Sequence, residues 1–129
     1  MKPELTYLAL CGILILSTAS AAEFSNADIC KAAISVEMGR PSKMMKLEQP
    51  GDEPLISYQR PDGDRFRYIC KIEKERVVWR TYLSDTNSWG RWRNSESYGD
   101  AVTTFAIARG ALIISNNQLG EKTFKANDF

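Results

Sequence analysis

The sequence predicts an α+β domain: one N-terminal helix packed on a curved antiparallel β-sheet of five to seven strands in meander order. Three observations carry that expectation. A single helical apolar stripe begins near Ser25 and stops at Gly39. Beyond it, runs that alternate apolar and polar residues are separated by tight-turn chemistry. Finally, Cys30 sits on the helical stripe and Cys70 on the apolar side of a strand. A bond between them would join the two layers.

The helix has clear ends. Ser25-Asn26-Ala27-Asp28 is a capping box in which Asp28 takes the place of the usual Glu. Phe24 and Ile29 fall where a hydrophobic staple would put them. Ile29, Cys30, Ala33, Ile34 and Val36 form the apolar face, with Lys31 and Glu37 outside it. Gly39 is a natural stop and Pro41 prevents continuation. The expected span is about 25 to 38. A helix that short is marginal alone, so it must pack on something.

The strands follow in order. Met44 to Leu47 is a short first strand. Pro54 to Arg60 leads into Arg60-Pro61-Asp62-Gly63-Asp64, the chemistry of a type I turn with a bulge. That turn sets Tyr58 opposite Phe66 and Ile56 opposite Tyr68. In the next strand, Arg65 to Glu73, Phe66, Tyr68, Cys70 and Ile72 share one face and Arg65, Arg67 and Lys71 the other. A tight turn at Lys74-Glu75 pairs Ile72 with Val77, Cys70 with Trp79, Tyr68 with Thr81 and Phe66 with Leu83, keeping one face apolar. Arg109-Gly110 joins Ala101–Ala108 to Ala111–Asn117, pairing Ile107 with Leu112 and Phe105 with Ile114. Glu121 to Lys125 is a last strand with Phe124 inward.

Ahead of this domain, Met1 to Ala22 has the layout of a secretory signal. Lys2 supplies a weak positive start, Leu5 to Leu16 is apolar apart from Thr6 and Gly12, and Ala19-Ser20-Ala21 fits small-residue cleavage. A membrane anchor is the competing reading. The apolar run is shorter than the roughly 20 residues that span hydrocarbon, and no basic stop-transfer cluster follows. Leu8 to Cys11 matches a lipoprotein box poorly, because Leu10 is too large before the cysteine. The expectation is a signal over 1–22, a single domain over 23–129, a periplasmic or secreted location, and no membrane association after cleavage. Cleavage removes Cys11 and leaves Cys30 and Cys70, which in an exported chain are expected to form a disulfide.

Composition limits function. The 129 residues carry 17 Lys+Arg and 16 Asp+Glu, a net charge of +1, and no histidine. So weak a net field argues against nucleic acid as a partner. The missing histidine removes Ser-His and Cys-His catalysis and all histidine metal sites. Neither a cofactor nor a metal is expected. Asp62-Gly63-Asp64 offers oxygen ligands but lacks the rest of a calcium loop, and turn chemistry explains it. Glu96 and Asp100 are the one carboxylate pair considered for acid/base hydrolysis. Nothing in the sequence sets them across a cleft.

Two places offer binding chemistry. The first is Ser84 to Asp100, a long connection containing Trp89, Arg91, Trp92, Arg93 and Tyr98. Long connections in compact domains are often functional, and Trp, Tyr and Arg dominate protein-binding hot spots. Indole faces also stack on sugars. The plain alternative makes Gly90 to Arg93 a short strand with one tryptophan in the core and its arginines in water. The second place is the outward face of the central hairpin, where Arg65, Arg67, Ile69, Lys71, Val78, Arg80 and Tyr82 should lie together. This face suits an anionic partner; its plain alternative is a solvated sheet surface.

The stretch Asp28 to Ile34 (DICKAAI), Met38-Gly39-Arg40-Pro41, Tyr68-Ile69-Cys70, Trp79-Arg80 and Gly90-Arg91-Trp92-Arg93 resembles small exported proteobacterial proteins of unknown function. The resemblance spans most of residues 23–129. It implies a Gram-negative periplasm and carries no activity.

The expectation for function is therefore a non-enzymatic, inhibitor- or immunity-like binding protein. Its binding residues would be Trp89, Arg91, Trp92, Arg93, Tyr98, Arg67, Arg80 and Tyr82, and its partner a protein. The alternatives are an envelope glycan-binding module and a small carboxylate-dependent hydrolase.

Overall fold

A Ser25 hydroxyl that accepts from the Asp28 backbone N–H, while the Asp28 carboxylate accepts from the Ser25 N–H, starts the helix α1 at Asn26. Each bond satisfies a donor that the first helical turn leaves orphaned. Helix α1 (Asn26–Met38) ends at Gly39, whose φ of 63° is left-handed. The computed structural model describes residues 24–129. The segment 1–22, expected to be a secretory signal, and Cys11 within it lie outside the described residues.

Eight strands follow: β1 (Lys46–Gln49), β2 (Leu55–Gln59), β3 (Arg65–Glu73), β4 (Arg76–Leu83), β5 (Ser88–Trp89), β6 (Thr103–Ala108), β7 (Ala111–Asn116) and β8 (Gly120–Phe124). All pairings are antiparallel, in the order β1-β2-β3-β4-β6-β7-β8, with β5 attached to β4. This meander curls into a half-barrel whose concave face holds α1. The α+β class, the single helix and the curved antiparallel sheet are as expected; the strand count is seven along the path, with β5 as an eighth.

Turn chemistry sets the register. Gly63 has φ of 97°, the Arg60 N–H donates to the Asp64 carbonyl at 2.8 Å, and Tyr58 pairs Phe66 with Ile56 opposite Tyr68. Arg109 and Gly110 both take positive φ, 54° and 75°, and bring Phe105 opposite Ile114 and Ile107 opposite Leu112. That is the left-handed pair a two-residue hairpin needs. Lys74 takes φ of 58° without being glycine, a conformation costing on the order of 1 kcal/mol that the flanking pairs outweigh.

Three expectations shift. The first strand begins at Lys46, not Met44, because a short 3-10 turn over Ser42–Met44 uses the first residues. The second begins at Leu55, one residue past Pro54. Phe66 does not pair with Leu83: the β3–β4 ladder ends at Tyr68–Thr81, while Leu83 pairs with Ser88 of β5 on the other edge of β4. A twisted strand can diverge from one neighbour at the end where it meets another.

The core lies between α1 and the concave face. Ile29, Ala33 and Ile34 of the helix meet Ile56, Tyr68, Val77, Leu112, Ile114 and Phe124 of the sheet, all buried. Ala32 and Ala33 are small enough to let the helix settle deep in the curve. The Cys30–Cys70 disulfide, with Cα atoms 5.7 Å apart, ties the helix to β3 in the middle of this layer, and both cysteines are fully buried. An aromatic row closes the layer's flank. Tyr58 lies 5.3 Å from Phe66 and 6.1 Å from Tyr68, and Tyr68 sits 5.7 Å from Trp79, edge to face. Burial and the neighbouring Tyr58 push the Tyr68 hydroxyl pKa upward. Among the described residues, no helix is long and apolar enough to cross a membrane.

Candidate binding face

Strand alternation sends Val77, Trp79 and Thr81 of β4 toward the core side and Arg76, Val78, Arg80 and Tyr82 to the convex side. From β3, Arg67, Ile69 and Lys71 join them, with Ile69 opposite Arg80 and Lys71 opposite Val78. The outward residues named from the sequence are therefore neighbours. The face is not an open, solvated surface, however. Val78 is 0% exposed although it is no part of the concave core. Something on the convex side covers it.

The cover comes from the connection after β4. Asn87 turns the chain with φ of 53°, and β5 pairs Trp89 with Tyr82 and Ser88 with Leu83. The segment continues along the β4 edge that β6 leaves open. The Gly90 N–H donates to the Thr81 carbonyl at 2.8 Å and the Arg93 N–H to the Trp79 carbonyl at 2.7 Å. β6 meets β4 only at Arg76–Thr104. The plain alternative is corrected here: the strand is Ser88–Trp89, not Gly90–Arg93, and neither Trp89 nor Trp92 enters the core. The tryptophan that packs against the core is Trp79, on β4.

Both indoles instead lie on the convex face, interleaved with cations. The Arg67 guanidinium stands over the Tyr82 ring at 5.5 Å. Tyr82 meets Trp89 edge to face, with centroids 5.4 Å apart. Arg80 lies over Trp89 at 5.6 Å and over Trp92 at 4.6 Å. Lys71 lies over Trp92 at 4.4 Å. The result is a stack, Arg67–Tyr82–Trp89–Arg80–Trp92–Lys71, drawn from two strands and the connection. Trp92 lies between Arg80 and Lys71, and Lys71 is the cross-strand partner of Val78. Cation–aromatic contacts of this kind contribute about 0.5–2 kcal/mol each, more as they lose water.

Arg91, Arg93 and Tyr98 belong to a separate arrangement. Arg91 grips Asp100 with two parallel bonds, Nη1 to Oδ2 at 2.7 Å and Nη2 to Oδ1 at 2.8 Å. The Ser95 N–H also donates to Asp100, at 3.0 Å, and Arg93 comes within 3.9 Å. The Asp100 side chain is 5% exposed. The Arg91 bonds, the Ser95 N–H and the nearby positive charge outweigh burial and hold its pKa down at about 2. Arg93 also covers Trp79 at 5.5 Å, and Arg91 stacks on Tyr98 at 4.5 Å. Tyr98 is 71% exposed. This knot pins the far end of the connection and fixes where Trp92 lies.

The site residues named from the sequence thus divide. Arg67, Arg80, Tyr82, Trp89 and Trp92 come together on one face. Arg91 and Arg93 are spent on Asp100, and Tyr98 stands beside them. A carboxylate held at about 2 and bonded on both oxygens is a poor proton donor near neutrality, so Asp100 is ill suited to pair with Glu96 as an acid. The sequence reading had placed Lys71 on this face but left it out of the binding set; it completes the stack. Its partner Trp92 is distant in sequence and on neither strand of the hairpin, so the meeting depends on how the connection folds back.

Comparison with known family models, with curated proteins and with solved structures finds no match to this chain. What the face does must be argued from its own residues.

Proposed function

We propose that this is an exported, non-enzymatic binding protein that engages a protein partner through the convex aromatic–basic face, in the manner of an inhibitor or immunity protein. One observation carries the reading: three cationic and three aromatic side chains stack together on a single outward face. Such a surface is rigid before any partner arrives, so little side-chain entropy remains to be lost on binding. It is also made of the residue types that anchor protein interfaces. The occupied rings count against the glycan alternative. A sugar ring needs an open indole face, and Trp89 and Trp92 already carry Arg80, Lys71 and the edge of Tyr82 against theirs.

Capture from periplasmic extract tests the reading. The immobilised wild-type protein should retain a stoichiometric protein that an Arg67→Glu/Arg80→Glu variant loses. If both forms retain the same set, or neither retains anything, the reading fails. Export has its own test: the periplasmic fraction should contain a chain beginning at Glu23 with Cys30 bonded to Cys70 by mass. A chain retaining Met1, or one with free thiols, would remove the assigned compartment.

A further inference from the structure

We infer that the partner presents carboxylates: the convex face seats an acidic protein segment, with Arg80 as the anchor and Arg67 as a second contact. The inference rests on the binding reading above and names the chemistry of its partner.

Local neutralisation shows which cations are available. Arg65 pairs with Glu48 at 3.4 Å and Lys71 with Glu73 at 3.7 Å. Arg91 and Arg93 share Asp100. The Glu48 carboxylate also accepts from the Ser57 hydroxyl at 2.6 Å; that bond first, then Lys46, Arg65 and Arg67, lower its pKa. Arg67 and Arg80 have no ion-pair partner among the described residues. Neither does Arg76, next on the outward side of β4, whose Nε and Nη2 are buried without an acceptor. The Nε of Arg80 is buried and unpartnered as well. Buried donors without acceptors are rare and call for a cause. Those of Arg76 and Arg80 lie on this outward face, beside an Arg67 with no carboxylate in ion-pair range, and an incoming oxyanion would give them an acceptor. Arg60 and Arg93 each carry a buried Nε elsewhere, but their Nη atoms already face carboxylates.

Geometry selects the kind of anion. The Arg80 guanidinium carbon lies 5.6 Å from the Trp89 ring centre and 4.6 Å from that of Trp92, and a guanidinium held against aromatic rings keeps its N–H donors in its own plane for an acceptor at its edge. An in-plane fork matches a carboxylate bidentately, and stacking weakens the hydration that would otherwise compete. Along β4 the stripe from Val78 to Tyr82 is about 13 Å long, the reach of a short extended segment. A flexible Asp or Glu side chain can approach the guanidinium edge. The carboxylate of a uronic acid is fixed to a bulky ring, for which the covered indoles leave no apolar platform.

The test uses the disulfide-bonded protein spanning residues 23–129, with poly-L-glutamate as the acidic peptide probe and alginate as the polyuronate. Tryptophan fluorescence is titrated at low ionic strength and again in added salt. Poly-L-glutamate should bind and weaken with salt. Arg80→Gln should lower affinity about tenfold or more, and Arg67→Gln severalfold. Arg80→Lys should fall between, keeping charge but losing the fork. Arg109→Gln, on the β6–β7 turn away from the face, should match wild type. Unchanged thermal unfolding qualifies each variant; if Arg80→Gln fails to fold, Arg67→Gln at the rim of the stack decides. Equal loss in Arg109→Gln would reduce the effect to net charge and overturn the inference. Alginate binding tighter than poly-L-glutamate would overturn it in favour of a glycan. No binding of poly-L-glutamate, while protein capture still depends on Arg80, would overturn the carboxylate chemistry alone; loss of the capture as well would remove the binding reading with it.

Discussion

The two faces of this sheet are both buried in places, by different means. On the concave side, an apolar helix fills the curve and a disulfide joins the layers at their centre. On the convex side, no second apolar layer is present among the described residues. Val78 is nevertheless fully buried there, and Trp92 lies between Arg80 and Lys71, the cross-strand partner of Val78. The concave face gains its stability from area removed from water and from a restricted unfolded chain. The convex face gains less, because its cations keep part of their hydration. On the proposed binding reading, stability and recognition are separated across the two faces of one sheet.

That separation is sharpest at the disulfide. Replacing both cysteines, Cys30→Ala with Cys70→Ala, should cost about 4 kcal/mol for a loop of about 40 residues. The midpoint of thermal unfolding should fall by roughly 20 °C. A calorimetric shift under about 5 °C would mean that the concave layer does not depend on its clamp.

The convex face should respond less. Trp92→Ala strips aromatic cover from Arg80 and Lys71, for an expected loss of about 2 kcal/mol. Urea unfolding measures it. A loss as large as the disulfide's would make the stack part of the core in all but position, and the contrast between faces would disappear.

Asp100 tests what holds the connection in place. Its pKa lies at about 2, below the ordinary 3.8, so its contribution is fully present above about pH 4 and disappears as pH falls toward 2. Asp100→Asn keeps the shape but removes the charge. It should cost about 1–2 kcal/mol at pH 7 and flatten the stability profile between pH 4 and 2. If wild type and variant lose stability in parallel across that window, Asp100 is not the latch.

The smallest effect is expected at Tyr98. Its ring is largely exposed and its one strong contact is the Arg91 guanidinium, so Tyr98→Ala should change stability by less than about 0.5 kcal/mol. A larger loss would show that the Arg91–Asp100 knot needs the ring to stand upright.

Much of this was legible before any coordinates. Ser25, Asp28 and Gly39 mark the ends of α1 because capping is local chemistry, written within a few residues. Pro61-Asp62-Gly63 and Arg109-Gly110 set their hairpins for the same reason, and the two registers then carried Cys70 and Ile114 inward by simple alternation. The pairing of Phe66 with Leu83 failed because extending a ladder by alternation assumes that two twisted strands stay paired to their ends, and β3 and β4 part beyond Tyr68–Thr81. The candidate site was half visible. Its outward residues on β3 and β4 followed from the hairpin, and the Trp/Arg connection stood out by composition.

By itself, then, the sequence determined the elements, their turns, the inward and outward sides of each strand, and the reach of Cys30 to Cys70. All of these depend on interactions within a turn or across one hairpin. Only the tertiary structure decided that Trp89 and Trp92 fold back over the convex face, that Arg91 and Arg93 go to Asp100, and that Arg67 and Arg80 have no ion-pair partner among the described residues. Those outcomes depend on β6 meeting β4 at a single pair and leaving an open edge. Which edge stays open is settled by the curvature of the whole sheet, and no short stretch of residues encodes it.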